Sequence, residues 1–125
     1  MNVDEVIRKV TPLTEASFYI LAALSEPLHG YGIMQKVMEL TRGRVQLGPG
    51  TLYGALTNLQ SMGLIESLDN TGTERKKLYC TTYLGRQVVE YEIDRLEEVV
   101  KHGRMLLRME GKNGSILRET DEVGP

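Results

Sequence analysis

An uncharged stretch of hydrogen-bonding side chains stands in the middle of the chain, between residues 47 and 65. Hydroxyl, phenol and amide groups line one side of it: Thr51, Tyr53, Thr57, Asn58, Gln60 and Ser61. Ordinary solvation of a surface helix is one explanation of such a face. The other is a ligand that presents oxygens and aromatic edges, because hydroxyls can contact phosphates and amides can pair with an adenine edge.

Positive charge is concentrated on either side of that stretch. Residues 41–82 carry five basic and three acidic side chains, whereas residues 1–40 carry three basic and five acidic ones. The five cations are Arg42, Arg44, Arg75, Lys76 and Lys77. A basic rim beside a polar face suits phosphate contacts, although lysines on a strand edge also serve to block aggregation. The net charge of −2 argues weakly against nucleic acid as a partner.

The uncharged face belongs to a predicted helix with a clear start and a clear end. Gly48 is placed to be its N-cap, Pro49 suits its first turn, and Gly63 follows its last turn. Apolar residues recur at helical spacing: Leu52, Ala55, Leu56, Leu59 and Met62. This periodicity predicts one side that packs on a core and one side that faces outward.

Two further helices are predicted before it. One spans about Thr11–Ser25, with a threonine cap and a proline in its first turn, and it is apolar all round, as a core helix is. The second spans about Gly30–Thr41, and the short turn Arg42–Gln46 joins it to the uncharged helix. Residues 1–10 predict an amphipathic helical arm.

After Gly63 the pattern becomes that of strands. Residues 64–68 and 74–81 predict a β-hairpin around the turn-forming residues 69–73. Three helices followed by a hairpin is the order of a winged helix-turn-helix. In that fold the third helix enters the major groove of DNA and the hairpin, or wing, lies beside it.

A long fourth helix, about Tyr83–Met109, follows the capping residue Thr82. Apolar residues at alternating spacings of four and three form a heptad seam, and the other positions are dense in charge. The seam consists of Val89, Ile93, Leu96, Val100, Gly103 and Leu107. At 1.5 Å per residue the helix is about 40 Å long. The small domain formed by the preceding residues cannot cover the whole length of this helix. We therefore expect homodimerisation along the seam rather than packing of the helix on its own domain.

The predicted fold is therefore mainly α with a small β-hairpin. A winged helix-turn-helix with an N-terminal helical arm occupies residues 1–82, and a dimerisation helix occupies residues 83–110. Residues 111–125 have little apolar content and no periodicity, so we expect a disordered tail.

Composition weighs against several other classes. The one cysteine, Cys80, excludes an internal disulfide framework and fits a reducing cytoplasm. Cys80 and His29 are the only candidate nucleophile and base, and no third orienting group or metal-ligand cluster accompanies them, so we predict neither catalysis nor a cofactor. No apolar run approaches the ~18 residues of a membrane span, and the N-terminus lacks a signal-peptide profile.

Four stretches of sequence, taken together and in order between about residues 12 and 85, also carry a family resemblance. They are LTEASFYILAAL, HGYGIMQ, LGPGTLYGALTNLQSMGLI and RKKLYCTTYLG. The set resembles the PadR family of bacterial and archaeal transcriptional regulators. The resemblance implies a homodimeric repressor, or a regulator of another kind, that binds a pseudo-palindromic operator.

The resemblance also implies roles for individual residues. Tyr31 would lie near a DNA phosphate, and the hydroxyls of Thr51 and Tyr53 in the GTLY motif would contact the DNA backbone. The basic residues 75–77 match the cationic part of the wing. Tyr79 and Thr82 match positions that look structural.

Three positions depart from the commonest family pattern. Gly54 stands where many members have proline, and Asn58 and Gln60 stand where an arginine and a glutamate are frequent. We expect Thr57, Asn58 and Gln60 to read base edges, while Arg44 joins the wing cations on phosphates. Asn58 and Gln60 can still bond to an adenine edge; the alternative for Asn58 is a place at the rim of the contact.

One alternative to a DNA-binding regulator is distinguishable by experiment. A winged-helix dimer that has lost DNA binding could serve as a protein-interaction module, in keeping with the negative net charge. Regulation by an unknown small molecule stays open too, although the chain has no tryptophan with which to stack an aromatic effector.

Overall fold

A computed structural model describes residues 2–68 and 77–114, with the side chains of the last helix described to residue 108. Within these residues the chain forms five helices and three strands: α1 (Val3–Val10), α2 (Glu15–Ala23), β1 (Leu28–His29), α3 (Gly30–Leu40), α4 (Pro49–Ser61), β2 (Ile65–Ser67), β3 (Leu78–Thr81) and α5 (Tyr83–Gly114). The chain divides into two compact units, residues 1–92 and 93–125. The predicted class is confirmed: a mainly helical winged helix-turn-helix followed by a long helix.

One hydrophobic core holds the first unit together. Helix α2 supplies two of the most buried side chains of this core, Ile20 and Leu21. Their burial agrees with the prediction of a core helix that is apolar on all sides. The remaining buried apolar residues come from the other elements and from the segments between elements: Val6, Leu24, Ile33, Val37, Leu47, Leu52, Leu56, Leu59, Leu64, Ile65, Tyr79 and Val88. The N-terminal arm therefore belongs to the core through Val6 of α1.

Helix α4 has the limits that the sequence predicts. Gly48 is its N-cap and Pro49 its first residue. Gly63, just after its end, has φ of +77°, a left-handed conformation that a side chain at Cβ would disfavour. Buried leucines at positions 52, 56 and 59 repeat at the helical spacing of four and three.

The sheet has three strands, not the two of the predicted hairpin. Its order is β1-β3-β2, and β3 pairs antiparallel with both neighbours. The additional strand is only Leu28–His29, with Leu28 opposite Tyr79. Two residues are too few to show the alternation of apolar and polar side chains that predicts a strand. The sequence therefore indicated this segment only as a connection between two helices.

Helix α2 begins later than predicted. Thr14, not Thr11, caps it, because the Thr14 hydroxyl accepts a hydrogen bond from the Ser17 N–H at 3.1 Å. Thr11 instead ends α1, where its N–H donates to the Ile7 carbonyl at 3.0 Å. Between the two caps, the Leu13 N–H donates to a carboxylate oxygen of Glu92, a partner far away in sequence.

Helix α5 begins as predicted and ends later. The Thr82 hydroxyl accepts from the Gly85 N–H at 3.1 Å and donates to the Gly63 carbonyl at 2.7 Å. The helix continues to Gly114, beyond its predicted end at Met109 and four residues beyond the predicted dimerisation segment 83–110. The rest of the predicted tail, 115–125, lies outside the described residues, as does the turn of the wing at 69–76. No helix in the described ranges is both long and apolar enough to cross a membrane.

Replacement of Gly85 by alanine should destabilise the first unit. A Cβ atom there would collide with the Leu64 carbonyl oxygen and the Thr81 methyl group. Strain of this kind typically lowers the free energy of unfolding by about 1–3 kcal/mol. Urea denaturation followed by circular dichroism would measure the change.

Gly54→Ala is the matched control, because it is also a helical glycine but its Cβ would meet nothing within 4 Å. Alanine is the better helix former, so Gly54→Ala should raise the free energy of unfolding by up to ~1 kcal/mol. Equal stability of the two variants would contradict the close contact at Gly85.

Candidate nucleic-acid interface

The uncharged face of α4 is exposed. Thr51, Thr57, Asn58 and Gln60 are all exposed, whereas Tyr53 is half-buried against the core. The Ser61 hydroxyl donates to the backbone carbonyl of Asn58 at 2.8 Å. The side chains of Thr57 and Asn58 make no hydrogen bond to any described residue. Their polar groups are therefore available to a ligand.

The helical period shows which residues stand at the centre of this face. At about 100° per residue, Gly54, Thr57 and Asn58 lie opposite the buried leucines. Gln60 lies at the margin, on the side of Tyr53. A ligand that meets α4 squarely would reach Thr57 and Asn58 first, and Gly54 would leave the helix backbone open between them.

Tyr53, in the first turns of α4, lies against the first turn of α3. Its ring lies against Gly30, the first residue of α3, so closely that a Cβ at that position would overlap the Tyr53 hydroxyl. Gly30 is buried and its neighbour Tyr31 is 68% exposed. The structure thus places two of the predicted site residues, Tyr31 and Tyr53, at the same helix end.

The N-termini of α3 and α4 lack side-chain caps. Their N-cap residues, His29 and Gly48, make no side-chain cap hydrogen bond, whereas Asn2 and Thr14 cap α1 and α2. Free N–H groups and the helix dipole make an N-terminus attractive to a phosphate oxygen. Both uncapped ends belong to the helices of the predicted helix-turn-helix.

Arg44 lies in the turn between α3 and α4 and is held by α2. Its Nη2 atom is 2.6 Å from a carboxylate oxygen of Glu15 and 3.4 Å from the Tyr19 hydroxyl. The hydrogen bond between Glu15 and Arg44 lowers the pKa of the Glu15 carboxyl and raises the pKa of the Arg44 guanidinium, so both groups stay charged. The sequence did not indicate this pair, because 29 residues separate its members.

The wing is described only at its base. Lys77 is half-buried, and its carbonyl oxygen lies 3.0 Å from Nδ1 of His29. His29 thus joins the entry of α3 to the start of β3. The other two predicted wing cations, Arg75 and Lys76, lie outside the described residues.

The predicted heptad seam divides between the two units. Val89 is half-buried and packs against the core of the first unit. Within the second unit the apolar seam residues are exposed, and Gly103 is half-buried. The exposed fractions are 41% for Ile93, 38% for Leu96, 52% for Val100 and 69% for Leu107. A run of exposed apolar side chains along one helix is typical of a surface that another molecule covers.

Glu92 is one of the charged positions of the long helix outside the predicted seam, yet it is buried. Only 1% of its surface is exposed. Its carboxylate accepts the Leu13 N–H at 2.8 Å. The available signal was its position four residues after Val88, which is fully buried on the same side of α5.

Cys80 has the surroundings of a packing residue. Its thiol is half-buried on β3, and burial, with a smaller effect from the charge of Glu66, raises its pKa. A raised pKa leaves little thiolate at neutral pH, which disfavours nucleophilic chemistry. Among the described residues, no group of three or more His, Cys, Asp or Glu side chains could hold a metal ion.

Comparison with known proteins identifies the family. Residues 20–91, more than half of the chain, match the sequence model of the transcriptional regulator PadR-like family. The chain belongs to this family. The resemblance carried by the four sequence stretches is thereby confirmed, together with the general role of the family in transcriptional regulation.

Solved structures of PadR-like proteins have the same fold. A PadR family transcriptional regulator from Eggerthella lenta is 28% identical, with a TM-score of 0.59 over 84% of this chain and 87% of that one. A transcriptional regulator from Clostridium thermocellum is 24% identical, with a TM-score of 0.63 over 81% and 96%. A PadR-like regulator from Bacillus cereus is 24% identical, with a TM-score of 0.60 over 83% and 97%.

A curated relative from Streptomyces fradiae is much longer. It is described as an uncharacterized 37.1 kDa protein in a transposon, and it is 39% identical over 79 residues. The match covers 62% of this chain and 22% of that protein. The chain therefore corresponds to about a fifth of the relative's length.

The Cys80 thiol should react slowly with a small disulfide reagent. Its raised pKa means that the rate in the folded protein should rise with pH through a midpoint above that of free cysteine. Stopped-flow absorbance against pH would measure the profile, and the urea-unfolded chain is the control, with an ordinary midpoint. A midpoint near neutral pH would contradict the packing role and reopen the question of a reactive thiol.

Proposed function

We propose that this protein is a sequence-specific DNA-binding transcriptional regulator that acts as a homodimeric repressor on a pseudo-palindromic operator. The observation that carries the proposal is the outward face of α4, which is exposed, uncharged and rich in hydroxyl and amide groups. It stands on a helix whose opposite side is locked into the core by Leu52, Leu56 and Leu59. A rigid helix with such a face suits the major groove.

Base readout is assigned to α4. Thr57 and Asn58 stand near the centre of its exposed face, and their side chains make no hydrogen bond to a described residue. An asparagine amide can pair with both N6 and N7 of adenine. Gln60, at the margin of the face, is assigned to an adjacent base pair. Gly54 allows the helix to approach the base edges closely.

Phosphate contacts are assigned to the two ends of the helix-turn-helix. The uncapped N-termini of α3 and α4 supply N–H groups. Tyr31, Thr51 and Tyr53 supply hydroxyls beside them. Arg44 and the wing cations Arg75, Lys76 and Lys77 supply positive charge, which strengthens binding to any sequence and makes it depend on salt.

The dimer is assigned to the part of α5 that lies in the second unit. Ile93, Leu96, Val100 and Leu107 expose apolar surface at heptad spacing. Pairing of two copies along this seam would bury that surface. A two-fold dimer presents two α4 helices, and a pseudo-palindrome is the sequence arrangement that matches such symmetry.

Replacement of the wing lysines and of the α4 amide should have different effects. Lys76→Ala with Lys77→Ala should weaken binding to all duplexes alike and reduce the slope of log affinity against log salt by about 2. Asn58→Ala should cost about 1–3 kcal/mol on the preferred site and little on random DNA. Fluorescence anisotropy with DNA from beside the protein's own gene, and with random duplex, would measure both.

Arg8→Ala with Lys9→Ala is the control for the lysine pair, since it removes two exposed positive charges from α1. It should leave the affinity and its salt slope nearly unchanged. If no duplex binds selectively at low salt, a protein-interaction module, favoured by the net charge of −2, would replace the proposed function.

Leu96→Glu should convert the dimer to a monomer and weaken binding to a palindromic site, because a carboxylate would be buried at the seam. Met105→Glu is the matched control. It also replaces an exposed apolar residue of the second unit, and nine residues or two and a half turns place it on the opposite side of α5. Sedimentation equilibrium would report the masses. A monomeric wild-type protein would contradict the assignment.

A further inference from the structure

The turn between α3 and α4 contains two arginines in different surroundings. Arg42 is exposed, and its side chain makes no bond to a described residue. Arg44 is also exposed, but its guanidinium is paired with the carboxylate of Glu15 at 2.6 Å and lies 3.4 Å from the Tyr19 hydroxyl. Both partners belong to α2, which is not part of the polar face.

The exposed ion pair between Glu15 and Arg44 can open, so that the guanidinium can bind another acceptor. Its side chains are 60% and 54% exposed, so water competes with the contact and the attraction is weak. Both bonds of the guanidinium to described residues use Nη2. An arginine has five N–H donors in a planar fork, so the groups on Nε and Nη1 stay free to meet a second acceptor.

A phosphate is the acceptor that fits. It offers two oxygens to the planar fork, as a carboxylate does. The uncapped start of α4, another group that attracts phosphate, follows a few residues later in the chain. In the free protein, however, the Glu15 carboxylate already neutralises the guanidinium. A phosphate that approaches Arg44 therefore has to displace a negative group of similar geometry.

We propose that Glu15 sets the strength of phosphate binding at Arg44 by holding the guanidinium in a neutral pair that DNA must open. The inference rests on the proposed DNA-binding function. Glu15 thereby lowers affinity for every duplex alike, whereas Thr57 and Asn58 discriminate between sequences. The consequence is that binding to specific and to random DNA weakens by the same factor, while the ratio between the two affinities stays unchanged.

A double-mutant cycle tests the exchange. Glu15→Gln, Arg44→Gln and the double variant would be compared with the wild-type protein on a random-sequence duplex by fluorescence anisotropy. Glu15→Gln should tighten binding about two- to fivefold, the range of an exposed ion pair. Arg44→Gln should weaken binding, and adding Glu15→Gln to it should restore almost nothing, because the group that Glu15 restrains is absent.

Glu26→Gln is the charge-matched control. Glu26 also pairs with a cation, Lys36 of α3, at 3.2 Å with both side chains exposed. Its replacement removes the same charge without freeing Arg44, so the affinity should change less than it does for Glu15→Gln. Circular dichroism of each variant would verify that the fold is retained, and Arg44→Met, which also removes the cation, would replace Arg44→Gln if that variant unfolds.

Two outcomes would overturn the inference while leaving the proposed function in place. Equal tightening by Glu15→Gln with and without Arg44 would mean general repulsion between Glu15 and DNA. Weaker binding by Glu15→Gln would mean that the carboxylate positions Arg44 rather than restrains it. If the wild-type protein binds no duplex at all, the proposed function itself fails, and the inference fails with it.

Discussion

Burial of one side of α4 is the interaction on which the rest of the structure depends. Leu52, Leu56 and Leu59 are almost completely buried, and each buried leucine contributes about 1.5–3 kcal/mol. Because their positions repeat with the helical period, this packing fixes the rotation of α4 about its axis. The same three side chains thus decide that Thr57 and Asn58 face outward. Exposure of the polar face is a consequence of core packing at the opposite one.

A small group of contacts around Gly63, Leu64 and Thr82 connects the end of α4 to the sheet and to α5. The chain turns at Gly63, the Thr82 hydroxyl donates to the Gly63 carbonyl, and the Thr82 N–H donates to the Leu64 carbonyl at 3.0 Å. Gly85 lets the first turn of α5 lie directly against Leu64. The end of α4, the start of β2 and the start of α5 therefore meet in a few residues. Displacement of any one of them would strain the other two.

Charges in the first unit divide into those that hold the fold and those that remain accessible. Glu92 is buried and accepts the Leu13 N–H, so it ties the third turn of α5 to the segment before α2. The Glu15–Arg44 pair is exposed and joins α2 to the turn before α4. The first arrangement keeps a carboxylate away from water and needs its partners to be permanent. The second can open without cost to the core.

The local features of the fold could be predicted from the sequence because local residues determine them. The limits of α4 follow from Gly48, Pro49 and Gly63, and its buried side follows from the helical repeat. The cap at Thr82 and the order of the elements are of the same kind. The family resemblance rests on the same local stretches, which is why it indicated the fold correctly.

Long-range pairing was decided only in the tertiary structure. The strand Leu28–His29 exists because β3 lies beside it, and two residues carry no period of their own. Glu92 is buried where Leu13, 79 residues away in sequence, offers an N–H that needs an acceptor. Arg44 meets Glu15 for a similar reason, as α2 packs across the helix-turn-helix. The sequence by itself determined the helices and the chemistry of their faces, whereas the fold decided which charges are paired, because pairing depends on proximity in space.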